Sequence, residues 1–508
     1  MLTSDPQLEA TRLKRRDLIR LGGLAAAQAA FGKALFAGQS GQQPLMPMPG
    51  GAQDTPTPLF AAPGQQPGGA DLTLRIAPVQ VELDPGHIVS TIGYNGTAPG
   101  PVLRLREGKT ISVDVINNTD TPEVVHWHGM LIPTDVDGSA EEGTPMVDPH
   151  SHRRYQLTPG PAGSRWYHTH AMGMDDLHKG GYTGQFGFVY VDNGQDPGSY
   201  DQELFLALRD WEYYFAMNMV DTDDDGEPTN ILEKPTHINT APNGLEVNSS
   251  TYSINDKALG SGEPIRVRAG QRLLVHFLNA SVIENRRIAL AGHKMRVISM
   301  DGNPVPTPQL LDSVFLGVAE RIDVEIEMNH PGVWIMGATD KAIRENGCGV
   351  IVEYAGQSKN PQWIDPPAAP WDYTIFGSAS AAGPEPQEQI ETIFEKIPSG
   401  AGKFNLFQIN GKPYPHDNEF VLKEGVRYRL TMRNRTDDAH PMHMHRHQWE
   451  LKSINDKPTA GLIKDTIVVP RAGRAVVDFT ANQPGLTLFH CHMQQHMEYG
   501  FMALFRYA

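Results

Sequence analysis

Two short stretches near the carboxyl terminus hold side chains suited to binding a redox metal. One is His490-Cys491-His492, with His496 four residues on; the other, fifty residues upstream, is His440-Pro441-Met442-His443-Met444-His445. Successive side chains of an extended strand point to opposite faces, so Cys491 faces one way and both histidine neighbours the other. One tripeptide can therefore ligate two metal sites on opposite sides of a single backbone. His443 and His445 share a face, while His440, offset by three, can face the other way. Two imidazoles and a thiolate, from His440, Cys491 and His496, suit a trigonal copper site for electron transfer. The evenly spaced histidines are left to build something else.

Such strands must be held in register by a scaffold, and the sequence carries one pattern three times. Asn95-Gly96, Gly108 and Asn117 are followed by Asn255-Asp256, Gly270 and Asn279, and then by Asn410-Gly411, Gly425 and Asn434. The interval from Gly to Asn is nine residues in every copy. His126 stands eighteen residues after Gly108, and His443 eighteen after Gly425; the middle copy has Ile288 there. His126 and His128 thus answer His443 and His445, and His168 and His170 answer His490 and His492. Two such quartets facing each other across an interface would cage a small copper cluster. Short alternating strands and turn residues from about Asp71 predict an all-β chain of three Greek-key β-sandwiches, with ligands kept only in the first and last. The expected domains are 71–197, 198–358 and 359–508.

The four motifs are His126-Trp127-His128-Gly129, His168-Thr169-His170, the 440–445 stretch, and His490-Cys491-His492 with His496. They resemble those of three-domain multicopper oxidases, laccases in particular, and the resemblance covers about residues 71–508. It implies cupredoxin-like sandwiches and four copper ions. A type 1 copper would sit on His440, Cys491 and His496, and a type 2 copper on His126 and His443. A type 3 pair would take His128, His168, His170, His445, His490 and His492. The family's reaction would then be one-electron oxidation of a reductant at type 1, passage of electrons through Cys491 to His490 and His492, and reduction of dioxygen to water. The axial position, five residues after His496 in the family, is Phe501, and a non-coordinating axial residue favours copper(I) and raises the potential. Alternation turns the adjacent Met502 to the opposite face unless the register shifts. Asp137, in Asp137-Gly138, resembles the acid that family members place near the type 2 copper. Asp135 is the alternative, and a plain Asp-Gly turn would need neither. Glu498, with Asp137, is a candidate catalytic carboxylate; Glu498 and Asp465 could each be a substrate-side carboxylate, orient a copper-bound imidazole, or simply carry solvated surface charge.

The expected substrate is a phenolic or aromatic reductant, with dioxygen as acceptor. A cuprous oxidase in copper tolerance is the alternative. Family members of that kind usually carry a long methionine-rich insert near type 1. Here Met442, Met444, Met493, Met497 and Met502, with Met217 and Met219 as outliers, form no such tract, though thioethers near copper keep the alternative in view. A third class, exported scaffolds of this fold that lack ligands, is disfavoured because every ligand position is filled. His447 continues the alternation after His445 without a family role, and His150, His152, His178 and His293 read as surface or loop residues. Asp221-Thr222-Asp223-Asp224-Asp225-Gly226 copies half of a calcium loop, but Leu232 replaces the required glutamate, so an acidic surface loop is expected.

The remaining features bound the setting. The two cysteines are Cys348 and Cys491, so a thiolate ligand at Cys491 leaves no intramolecular disulfide, and Cys348 reads as a buried, inert thiol. A formal net charge of −16 argues against a nucleic-acid partner. Lys14-Arg15-Arg16-Asp17-Leu18-Ile19-Arg20, before an Ala-rich apolar run to Ala37, resembles a twin-arginine export signal. Residues 1–37 would then engage the twin-arginine translocase and deliver a periplasmic or extracellular protein. Residues 38–70 read as a Pro/Gly-rich linker without a core. No later apolar run is long enough to span a membrane.

Overall fold

The computed structural model describes residues 69–195, 198–217, 244–400, 402–416 and 420–508. The export-type segment, nearly all of the linker, the 221–226 acidic loop, Met219 and the Asp196-Pro197 boundary lie outside the described residues. Strands dominate the rest and build three β-sandwiches in chain order. In the first, a sheet ordered His87–Tyr94, Leu72–Asp84, Ile111–Asn117, Ser151–Leu157 faces one ordered Leu103–Arg106, Phe186–Asp192, Gly163–Thr169, Val125–His128. The second and third each pair a six-stranded with a five-stranded sheet.

The repeated asparagines and glycines have a mechanical reason to recur. Asn95, Asn255 and Asn410 sit in the left-handed region at φ 54, 58 and 53°, which asparagine tolerates better than most residues. In each copy the side chain then braces the neighbouring strand: the Oδ1 atoms accept from Arg75, Ala207 and Ile393 backbone N–H groups, at 2.7, 2.9 and 2.7 Å. Asn117, Asn279 and Asn434 fold the end of the next strand, each accepting from the backbone N–H two residues on, at Thr119, Ser281 and Thr436. The chain leaves each of these hooks toward the strand that carries, or in the middle copy lacks, the ligands.

That strand is in the same register in all three copies. His126 pairs with His168 in the first sandwich, and His443 pairs with His490 in the third. The middle sandwich pairs Ile288 with Ala338 in the corresponding place, two apolar side chains where the others hold imidazoles.

Burial of apolar side chains supplies the cohesion. Leu74, Val113, Trp127 and Tyr167 belong to the first core, and one continuous apolar cluster runs from Phe277 and Met336 of the second sandwich to Phe407, Phe489 and Cys491 of the third. A polar cluster ties the first sandwich to the second. His276 lies between Asp323, 2.8 Å from Nδ1, and Glu203, 3.1 Å from Nε2, and Ser164 of the first sandwich donates to Asp323 at 2.8 Å. Burial opposes a charge on His276, but the two carboxylates outweigh it and raise the imidazole from 6.5 to about 9. A raised histidine stabilises the fold fully below its unfolded value and loses that contribution as pH climbs through the folded value. Denaturation at about pH 6 and about pH 10 should therefore show His276 contributing about 3 kcal/mol at the lower pH only. His276→Gln should remove that difference; an unchanged pH slope in the variant would refute the assignment.

Candidate metal centre

The two histidine quartets interleave. His126 of the first sandwich stacks on His445 of the third at 3.9 Å between ring centroids, and His128 stacks on His443 at 3.8 Å. His170 stands 5.0 Å from His445 and 5.3 Å from His490, while His492 lies 5.1 Å from both His128 and His168. The eight rings are buried or nearly so, and their nitrogens converge closely enough for groups such as His170, His445 and His490 to share one ion.

The hydrogen bonds of these rings say which nitrogens are left for a metal. Nδ1 of His126, His168, His443 and His490 meets the carbonyl oxygens of Asp137, Thr169, Asp465 and Cys491, at 2.9, 2.8, 2.8 and 2.8 Å. Nε2 of His126, His168, His443 and His492 has no hydrogen-bond partner among the described residues, nor has either nitrogen of His170. Nε2 of His445 and Nε2 of His490 face each other at 3.1 Å. Buried polar atoms are nearly always satisfied, so a cluster of bare nitrogens is a cation's coordination shell in waiting. Burial, with mutual repulsion between rings, favours the neutral ligand form at several of them. It holds His168, His445, His490 and His492 well below 6.5, His443 at about 3 and His170 at about 4.

On the opposite side of the 490–492 backbone lies the second group. Cys491 Sγ is 3.7 Å from Nδ1 of His440 and 3.7 Å from Nδ1 of His496. Alternation places them there: Cys491 pairs with Met442 and projects into the core of the third sandwich, while His490 pairs with His443 and projects into the cage. The five-residue helix Gln494–Glu498 brings His496 back over the sulfur. Burial pushes the Cys491 thiol up, so a thiolate there requires a cation beside it. Phe501 packs at 4.7 Å from the His440 ring and 5.6 Å from Phe407, leaving an apolar wall. The register continues without a shift to Met502, which pairs with His490 and sits with Leu488 and Met497.

The carboxylates are distributed less evenly. Asp137 is fully buried at the end of the helix Thr134–Asp137, with Oδ2 2.9 Å from His445 Nδ1 and 3.2 Å from His126 Nδ1; Asp135 is exposed. Gly138 must follow at φ 100°, because a Cβ there would lie 1.9 Å from the Val125 carbonyl oxygen. Burial opposes the charge on Asp137, but His126 and its hydrogen bonds outweigh it and lower the carboxyl. Asp465 is lowered too, burial being outweighed chiefly by Arg321. Glu498 touches no ring of the cage: it accepts from Gly173 N–H, Gln494 Nε2 and Tyr182 Oη, and so straps the His496 helix to the loop after His170.

Glu142 was not among the residues anticipated from the sequence. Its Oε1 accepts from the Leu488 N–H at 2.6 Å, its Oε2 lies 3.5 Å from His445 Nδ1, and burial and the neighbouring Asp137 raise it well above the ordinary carboxyl. Its only local signal was an acid five residues after Asp137. His447 is buried on the His445 carbonyl and Tyr507 Oη, a structural place. His150, His152 and His178 are exposed as expected, but His293 is not: it is buried, bridging the Ala291 carbonyl and Tyr354 Oη. Cys348 is buried, and burial raises its thiol to about 11.

Known proteins agree with this geometry. Three multicopper oxidase family models match residues 75–196, 164–356 and 386–508. Multicopper oxidase MmcO of Mycobacterium tuberculosis is 30% identical over 529 residues, covering 98% of either chain. The chain belongs to the multicopper oxidases. It is therefore a copper-dependent oxidoreductase that uses a reducing substrate and dioxygen, and its sandwiches are cupredoxin-like. A copper resistance protein A homolog of Pseudomonas syringae pv. tomato is 22% identical, over 96% of this chain and 98% of its own. The crystal structure of a multi-copper oxidase from Pseudomonas thermotolerans superposes with TM-score 0.64 at 25% identity, over 87% of this chain and all of that one. A laccase from Botrytis aclada shares the fold, with TM-score 0.67 at 20% identity over 85% of this chain and 87% of that one.

Proposed function

We propose that this multicopper oxidase is of the laccase type, taking single electrons from phenolic or aromatic reductants and delivering them to dioxygen. Type 1 copper would be held by His440, Cys491 and His496, type 2 by His126 and His443, and the type 3 pair by His128, His168, His170, His445, His490 and His492. Bound there, copper would supply one-electron oxidation at the first site and four-electron reduction of dioxygen at the second. The observation that carries the reading is Cys491, whose sulfur lies 3.7 Å from two imidazole nitrogens while its backbone neighbours stand in the cage. His490 Nδ1–H also donates to the Cys491 carbonyl oxygen at 2.8 Å, giving a second short link between the two sites. Asp137 orients His126 and His445 and is the nearest ionised group for handling protons at the cage. The domains are taken as 71–197, 198–358 and 359–508, and the Lys14–Arg20 stretch supports export to the periplasm or beyond by the twin-arginine translocase.

Oxidation of cuprous ion is the second reading. Met497 and Met502 pack together with Met172 against them, so three thioethers lie on or beside the helix that carries His496. The deciding measurement is the steady-state rate on a methoxyphenol and on cuprous ion, with and without excess copper(II). Phenol turnover independent of added copper(II) supports the first reading; phenol turnover only with added copper(II) overturns it. A further expected result concerns the apolar wall. Phe501→Met should lower the type 1 potential by on the order of 60 mV, one tenfold step for a one-electron couple, in a redox titration of the blue band. An unchanged potential would place position 501 off the copper axis.

A further inference from the structure

The middle sandwich supplies no ligand, yet one of its side chains reaches the cage through a single intermediary. His128 is oriented in reverse to its neighbours: Nε2 meets Asp465 Oδ1 at 3.1 Å and Thr466 Oγ1 at 3.2 Å, and the buried Nδ1 has no partner among the described residues. A neutral imidazole carries one N–H, so an acceptor at Nε2 places the proton there and leaves the Nδ1 lone pair for a metal. Asp465 is in turn gripped by Arg321 of the middle sandwich, Nη1 to Oδ1 at 2.8 Å and Nη2 to Oδ2 at 2.6 Å. Asp301, also of the middle sandwich, accepts the backbone N–H groups of Asp465 and Thr466 at 3.2 Å each. All these groups are buried, and the next cation, Arg165 of the first sandwich, stands 3.6 Å from Oδ2.

We propose that Arg321 is a positioning residue for the copper cage, fixing the Asp465 carboxylate so that Oδ1 holds His128 in the tautomer that offers Nδ1. Two parallel hydrogen bonds define the plane of a carboxylate in a way that a single one does not. Without Arg321, Asp465 turns toward Arg165 on its Oδ2 side, and Oδ1 leaves His128. The sandwich that lost its imidazoles thus keeps a share in the site: the cage is complete only when the middle sandwich is docked on the other two. The inference rests on the trinuclear assignment above.

The test compares Arg321→Met, Arg321→Lys, Asp465→Asn and His276→Gln with the wild type, each as the full chain loaded with copper. Copper per chain, blue absorbance, chelator resistance of the cage copper and thermal melting are read. Arg321→Met should keep the blue absorbance, which reports an intact third sandwich, and lose cage copper to a chelator about 10- to 100-fold more readily. Arg321→Lys restores charge without the two-pronged grip and should fall between. Asp465→Asn keeps the size but cannot accept on both oxygens, so it should behave like Arg321→Met and carries the test should that variant fail to fold. His276→Gln cuts a buried interdomain cluster that includes none of the cage imidazoles, and should lower melting while leaving cage copper at the wild-type level. Wild-type chelator resistance in Arg321→Met and Asp465→Asn would overturn the proposal. A wild-type chain that binds copper only at the blue site would instead overturn the trinuclear assignment.

Discussion

Cys491→Ser is expected to abolish the blue absorbance and to slow oxidase turnover at least about a thousandfold, roughly 4 kcal/mol in barrier, while leaving copper in the histidine cage. A serine hydroxyl is a hard, neutral donor that does not replace a thiolate on copper, so the first site loses both its ligand and its electronic link to the strand. The scaffold has little reason to fail. The side chain is slightly smaller, the strand Leu486–Cys491 is held by backbone pairing on both sides, and the cage ligands project from its other face. Copper analysis should show loss of one ion per chain, and chemical reduction of the remaining cluster should still be followed by oxygen uptake. Turnover above about a tenth of wild type would mean that electrons reach the cage by a route that bypasses the sulfur.

The part of this site that was legible in the sequence is the part governed by short-range periodicity. Strand alternation alone separates Cys491 from His490 and His492, and the structure places them on opposite faces as that rule requires. The repeat was legible for a related reason: its asparagines and glycines are turn residues whose conformations few others adopt, so they recur at fixed intervals. Asp465 was in view as a carboxylate that could orient an imidazole, but which imidazole it meets is fixed only by docking, and that escaped. His128 and Asp465 are 337 residues apart, and Arg321 reaches Asp465 from another sandwich, with no interval to advertise either contact. Glu498 shows the converse limit. Proximity to His496 in sequence suggested a role at the metal, but the helix carries its carboxylate to Gly173 and Tyr182. His293, read as a surface or loop residue, does lie in the loop between the strands Arg286–Leu290 and Met295–Met300, but it is buried, and a tyrosine 61 residues on is what buries it.

Asp137→Asn is expected to lower turnover at saturating reductant by about 10²- to 10⁴-fold while leaving kcat/KM for the reductant and the resting blue absorbance near wild type. The split follows from position. Asp137 is buried against His126 and His445, on the cage side, whereas on the proposed assignment the reductant would give up its electron at the sulfur side of the strand. Dioxygen reduction consumes protons, and an ionised carboxylate beside two cage imidazoles is placed to accept and hand on each one. Asparagine keeps the size and one acceptor oxygen, but it cannot carry a proton and turns an N–H₂ group toward a ring N–H or toward Glu142. Glu142 is the natural control. Burial and the neighbouring Asp137 raise its carboxyl and so favour the neutral form, and Glu142→Gln, which keeps a neutral side chain of the same size there, should cost less than about tenfold. Anaerobic reduction by substrate should be normal in Asp137→Asn and reoxidation by dioxygen slow, so that the blue colour fades during steady turnover. If reduction slows instead, or if both variants are equally impaired, the proton-handling role falls and Asp137 is left as a brace for the two imidazoles.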